Sequence, residues 1–394
     1  MRFDKFRRLT LPSALAAATA LLTAQAAMAA PGQADTRLIR SPQGDALQVT
    51  APIGAQQRVS AAAGHPFATT EARAAVRPLQ WTEDAGPAKG QNAQANRARP
   101  LPPAQSTGAG MAPDFANYMA RRDFADVWRA IDAEGEKVAP ALPGEGGFDD
   151  GLIRPMDGAH YSYVRFLGNY YTSQWQLPPW NKIGKLYFNT PSGASSYCTA
   201  SVVSGTSVIV TAAHCVYTRG AGFNTNFVFV PADRYGAAPY GRYGWQSATV
   251  LNDWINIGGR AHDVATIRLA GEATSGQPVV NYVGWLGRSW NYGYEQYTYS
   301  HGYASNLSTQ YTNVCAGTTY SAPSEGADVL VQGCDMTYGS SGGPWIINFA
   351  HNSHAGNHVN SVVSGPHIGA FGTAYVGARF TSNNIVPLCN ASGC

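Results

Sequence analysis

From about residue 160 onward the chain breaks into short β-type runs of four to seven residues, separated by Gly, Asn, Pro and Ser. Such runs occupy 183–188, 200–203, 207–211, 227–230, 264–269, 279–285, 294–299, 329–332, 345–348 and 359–363, with turn signals every 8–20 residues. Long helical patterns are absent from this part. Strands this short and this frequent predict an all-β sandwich or barrel. No internal repeat of fixed period is visible.

The preceding part has another texture. Residues 31–150 carry 12 Lys/Arg and 14 Asp/Glu, whereas 151–394 carry only 11 and 9. Aromatics are distributed in the opposite sense: 20 of 21 tyrosines, seven of nine tryptophans and all six cysteines follow residue 150. One uniform domain does not produce that split. A net charge of +3 on 394 residues leaves no basic stripe, so nucleic acid is not an expected partner. The expected organisation is a signal peptide over 1–29, a prosegment over 30–155 and a β domain over 156–394. Arg2, Lys5, Arg7 and Arg8 form the signal's positive end, and Ala27-Met28-Ala29 its cleavage site. No other segment is apolar enough to span a membrane as a helix, so the mature protein is expected to be secreted without a span. Within the prosegment, 85–113 reads as linker and Asp114–Gly135 as one amphipathic helix. Processing is expected between Pro140 and His160.

Three local sequences carry chemistry: Thr211-Ala212-Ala213-His214-Cys215, His262-Asp263-Val264-Ala265, and Gly339-Ser340-Ser341-Gly342-Gly343-Pro344. A serine hydroxyl is a weak nucleophile until an imidazole takes its proton, and the imidazole needs a carboxylate on its other nitrogen to fix the tautomer. Ser341 is assigned as nucleophile, His214 as general base and then acid, and Asp263 as the group that orients it. The N–H groups of Gly339 and Ser341 are the expected oxyanion hole. Between His214 and Ser341 only seven other acids compete with Asp263. The serine also fits the G-x-S-x-G elbow of α/β-hydrolases. That fold requires an acid after the serine, and no Asp or Glu follows Asp335. No C-x₂-C pair exists, and Asn and Gly surround His351, His354 and His358, so neither a metal nor another cofactor is expected.

These residues resemble the trypsin/chymotrypsin-like serine peptidases, which share the order His, Asp, Ser. The bacterial secreted branch with the V8-like glutamyl endopeptidases is the nearest in pattern, through Pro179-Trp180-Asn181-Lys182-Ile183-Gly184 and His301-Gly302-Tyr303. The resemblance implies two antiparallel six-stranded β-barrels with the site between them. Six cysteines allow 15 pairings; the resemblance implies Cys198–Cys215, Cys315–Cys334 and Cys389–Cys394. It also places Asp335 at the floor of the pocket for the residue whose carbonyl is attacked (P1), and Ser364 and Gly365 along its wall. Ser340 stands where trypsin-like zymogens carry an Asp, so the usual pairing with a freed N-terminus has no acceptor here. Val363 replaces the His that reads acidic P1 residues in the V8-like branch. The implied protein is a monomeric serine endopeptidase acting on protein or peptide substrates, with its own prosegment as intramolecular inhibitor. The alternative is a catalytically silent protease-fold binding or adhesion protein.

Overall fold

The computed structural model describes residues 35–51, 65–81, 102–107, 161–167, 174–367 and 373–394. The expected signal peptide, the helix expected at 114–135 and the expected processing stretch lie outside the described residues.

Five strands precede the first barrel: β1 (Asp35–Ile39), β2 (Ala46–Thr50), β3 (Arg77–Pro78), β4 (Gln105–Ser106) and β5 (Val164–Leu167), with a short helix α1 (Thr70–Ala74) between β2 and β3. The first barrel uses β6 (Ile183–Asn189), β7 (Ser195–Ser204) and β8 (Val208–Thr211), and, after the small hairpin β9 (Tyr217–Thr218) and β10 (Gly222–Phe223), β11 (Thr225–Pro231), β12 (Tyr243–Leu251) and β13 (Ala265–Glu272). Its order β12-β11-β6-β7-β8-β13 closes through β12–β13 pairing. Every second residue of these strands points inward: Leu186 and Phe188, Cys198, Ala200 and Val202, and Ala265, Ile267 and Leu269 share one buried core. The opposite face is covered as well. Tyr187, Tyr197, Val228 and Val230 pack together outside the barrel with Tyr303 and Phe67. Two buried faces explain why the strands read as nearly continuous apolar runs.

The second half holds β14 (Gly287–Trp290), β15 (Tyr297–Gly302), β16 (Asn313–Thr318), β17 (Tyr320–Ser321), β18 (Val329–Gly333), β19 (Pro344–Ile347), β20 (His358–Pro366) and β21 (Ala374–Arg379). Six of these run in the order β16-β15-β19-β20-β21-β18, and the ladder stops short of closing between β16 and β18. The reason is the chain at 161–167. β5 takes the free edge of β16, pairing Val314 with Phe166 and Cys315 with Arg165. The residues just before it wedge into the seam, where Gly317 and Gly333 leave room: a Cβ on Gly333 would stand 2.2 Å from the Tyr161 carbonyl, and one on Gly317 2.7 Å from that of Ser162. The seam is instead joined by the Cys315–Cys334 disulfide and by Gln332, whose buried amide donates to the Thr298 and Gly317 carbonyls at 3.0 Å each.

Two sequence readings are corrected. The run at 279–285 forms not a strand but a helical turn, Val280–Val283 (α3), opened after Pro278 and closed by Gly284 at φ +69°. Residues 35–51, which show little periodicity, form a hairpin that extends the first barrel. β2 pairs with β12 from Ser247↔Thr50 to Leu251↔Ala46, on the edge that β11 leaves after the single pair Phe229↔Tyr243. Gln48 locks it there, donating to Thr249 Oγ1 at 3.0 Å and to the Ala391 carbonyl at 2.9 Å. Ala391 belongs to the C-terminal helix Ile385–Ser392 (α4), which Asn384 caps. Asn252–Asn256 (α2) follows β12.

Replacing Gln332 by Ala removes two buried hydrogen bonds from the seam and should cost about 1–3 kcal/mol. Thermal denaturation should show Tm lowered by roughly 5–10 °C; an unchanged Tm would mean that the seam holds without this side chain.

Candidate active site

His214 and Asp263 meet because of strand register. β8 and β13 are antiparallel neighbours with Thr211 opposite Ala265. His214 lies three residues beyond Thr211, in the 3₁₀ turn Ala213–Cys215, and Asp263 lies two residues before Ala265. Both loops therefore leave the sheet at the same end. The Cys198–Cys215 disulfide ties the His214 turn to β7. Asp263 Oδ2 stands 2.8 Å from His214 Nδ1, and Oδ1 accepts the His214 backbone N–H at 2.9 Å. The Ser364 hydroxyl on β20 donates to Oδ2 as well. Burial pushes the Asp263 carboxyl up, but the imidazole, the Ser364 hydroxyl and the His214 N–H together hold it below the usual carboxylate range. An ionised carboxylate at Nδ1 keeps the proton on that nitrogen and leaves Nε2 as an acceptor. Among the described residues nothing hydrogen-bonds to Nε2, which is buried.

The loop carrying Ser341 is fixed from both barrels. Thr199 on β7 donates through Oγ1 to the Gly339 carbonyl and through its N–H to the Ser341 carbonyl, both at 2.8 Å. From the other side Gly342 N–H donates to the Val363 carbonyl, and Val363 N–H to that of Gly343. Gly342 has φ +76°, and a Cβ there would stand 2.0 Å from Thr211 Oγ1 and 2.7 Å from Ala212 N. The backbone after the serine thus lies on the strand end that leads into His214. Ser340 has a local partner: its hydroxyl donates to the Thr337 carbonyl at 2.7 Å. That local bond holds the turn without an ion pair. Gly339 adopts φ +89°, and a side chain there would meet the Tyr303 carbonyl. Among the described residues neither the Gly339 nor the Ser341 N–H donates to a protein acceptor.

Ser364 aims its hydroxyl at Asp263, and Arg260 Nη1 stands 3.4 Å behind it. Arg260 is buried, with Nε 3.5 Å from Glu325 Oε2 and Nη2 donating to the Pro366 carbonyl. Gly365 lies against that guanidinium, 2.2 Å from Nη1 for an added Cβ. Asp335 forms an ion pair with Arg165 of β5, Nε to Oδ2 at 3.0 Å, beside the Cys315–Cys334 bridge. Val363 is buried in the core of the second barrel. The third disulfide joins Cys389 to Cys394. His351 accepts from Trp180 Nε1 and His358 faces Ser289, so these two histidines point to separate partners.

One contact lies outside the sequence reading: Trp81 Nε1 donates to Ser341 Oγ at 2.9 Å, with its ring 5.1 Å from that of Tyr338. Trp81 is one of only two tryptophans before residue 150. An isolated aromatic in polar surroundings was the available hint. Arg260 and the bond from Ser364 to Asp263 were also not anticipated.

The Ser364 hydroxyl's share in holding Asp263 ionised is measurable. A carboxylate with a depressed pKa stabilises the fold above its unfolded pKa, and that stability is lost as pH falls through the folded value. In Ser364→Ala the Asp263 carboxyl should titrate higher by carbon-detected NMR, and acid unfolding should begin at a higher pH. Identical titration in both proteins would remove Ser364 from this role.

The family model described as Trypsin matches residues 174–370, half of the chain. No curated protein matches. Among solved structures, the protease Anisep from Arthrobacter nicotinovorans is similar at 28% identity, over 54% of this chain and 95% of its own, with a TM-score of 0.48. The thermostable serine protease AL20 from an extremophilic microorganism is similar at 30% identity, over 54% and 97%, also with a TM-score of 0.48. A Glu endopeptidase in complex with MPD aligns at 18% identity, over 58% and 97%, with a TM-score of 0.46. With the barrel order, the residue constellation and the family match in agreement, the chain belongs to the trypsin family of serine endopeptidases.

Proposed function

We propose that Ser341, His214 and Asp263 form the catalytic triad of a secreted endopeptidase that cleaves peptide bonds through an acyl-enzyme. The observation that carries this reading is the doubly engaged Asp263 carboxylate: it fixes the His214 imidazole in ring orientation and tautomer, next to the loop that bears Ser341. Ser341 Oγ attacks the peptide carbonyl carbon while His214 Nε2 takes the hydroxyl proton. The Gly339 and Ser341 N–H groups receive the oxyanion. The imidazolium then protonates the leaving amine as the C–N bond breaks, and water repeats the sequence on the ester. The backbone at Ser364 and Gly365, buried in this structure, would pair with the substrate main chain once the cleft is free. No step calls for a metal or an organic cofactor.

Three disulfides suit an oxidising compartment, which supports export by the 1–29 signal. We read 30–155 as a prosegment and 156–394 as the mature, monomeric protease. A cut between Pro140 and His160 would free β5 from β4 in sequence, while ladders still hold β2, β3 and β4 to the protease. A silent binding protein has no use for a buried, ionised carboxylate on an imidazole, and that alternative gains no support from the geometry.

The Arg165–Asp335 pair bears on specificity. With its charge compensated, Asp335 is a poor reader of Arg or Lys, and the Glu-reading His is replaced by Val363. Uncharged P1 residues are the expected substrates.

Ser341→Ala should abolish hydrolysis of denatured casein with the fold intact by circular dichroism; persistent turnover would refute the nucleophile. Asp263→Asn should lower kcat by about 10⁴ through the wrong tautomer. In a peptide-library profile, Arg165→Gln should raise kcat/KM for P1 Arg on the order of tenfold. A wild-type protein that already prefers basic P1 residues would contradict the charge-compensation argument.

A further inference from the structure

Residues 65–81 approach Ser341 in a way that the catalytic reading leaves unexplained. The segment has two anchors before it reaches the serine. Phe67 is completely buried among Tyr187, Tyr197, Val228, Val230 and Tyr303, on the outer face of the first barrel. Arg73, on α1, is also buried. Its Nε donates to the Gly236 carbonyl at 2.8 Å, and its Nη1 returns to the Phe67 carbonyl at 2.9 Å. The guanidinium thereby ties the helix to the protease and to its own leading turn. From there β3 runs parallel to β7, with Pro78 opposite Tyr197. Ser196 Oγ donates to the Arg77 carbonyl and Leu79 N–H to the Tyr197 carbonyl. Two residues later the Trp81 indole meets Ser341 Oγ.

We propose that this outer face, with Tyr187, Tyr197 and Tyr303 at its centre, is a recognition surface separate from the catalytic centre, and that residues 65–81 bound to it silence Ser341. The proposal rests on the catalytic reading above. The segment is placed as an inhibitor and not as a substrate because of what it presents. The atom facing Oγ is an indole nitrogen that donates its proton to the oxygen, and an indole offers no carbonyl carbon to be attacked. The N–H occupies one of the two Oγ lone pairs and lowers its nucleophilicity, and with the ring packed 5.1 Å from that of Tyr338 the Ser341 side chain is buried. The Phe67 and Arg73 anchors make this contact intramolecular, so a weak plug suffices at the high effective concentration of a tethered segment. Tyr197 couples the two ends. Its ring lines the Phe67 site, its carbonyl holds Leu79, and Thr199 two residues on clamps the Ser341 loop.

The test uses the full-length chain and a fluorophosphonate probe that labels an activated serine, with amide exchange at Leu79 as an activity-independent readout. In the wild type, labelling should be slow and the Leu79 amide protected. Trp81→Ala should label at least about tenfold faster, and Trp81→Phe, which keeps a ring but loses the donor, at an intermediate rate. Phe67→Ala should release the anchor, exposing the Leu79 amide and raising labelling roughly tenfold to a hundredfold. Wild-type labelling as fast as that of Trp81→Ala, or a freely exchanging Leu79 amide in the wild type, overturns the inhibitory segment alone. Absence of labelling in every form, with Leu79 protected, overturns the catalytic reading and the inhibition with it.

Discussion

A single buried carboxylate organises this molecule. Asp263 is inaccessible to solvent, and an isolated charge in such a place would be costly. Its cost is offset because both oxygens are engaged: the His214 ring and backbone N–H come from the first barrel, and the Ser364 hydroxyl from the second. The same three bonds therefore solve a desolvation problem, align an imidazole and join two β structures. Arg260 extends the pattern one shell outward, behind Ser364 and beside Glu325, so that buried charge continues in alternating sign away from the site. Such a chain of partners is sensitive to the removal of any one member, because each deletion leaves a buried polar group unpaired.

The parts of this arrangement that were legible in the sequence are those that chemistry restricts to a few residues. A histidine just beyond an apolar strand, an aspartate just before one and a serine among glycines each have a local cause, and adjacent β8 and β13 bring the first two together by register alone. What the sequence concealed was pairing between distant segments. Trp81 and Ser341 are 260 positions apart. Arg165 meets Asp335 only because β5 occupies the edge of β16. The misread run at 279–285 is different in kind: Pro278 and Gly284 marked a helical turn, but the apolar density of Val279, Val280 and Val283 outweighed them.

The N-terminal part also acquires a clearer physical character. Its low aromatic content and scattered charges suggested a chain with little to bury. The described pieces nevertheless place side chains deep in the protease: Gln48 between β12 and α4, Phe67 and Arg73 on the outer face of the first barrel. These contacts add to edges and faces that the strands from β6 onward provide. A segment can thus be sparse in core residues and still bind firmly, when the few it carries fit sites prepared by the larger partner.

The central claim, that Ser341 is acylated with His214 and Asp263 in support, is tested most directly by trapping the intermediate. The protein is mixed with an activated ester, quenched in acid within milliseconds and digested for mass spectrometry. The account predicts one acyl group per active molecule, located on the peptide that contains Ser341, with none in His214→Ala. Turnover without that adduct, or an adduct on any other residue, would contradict it.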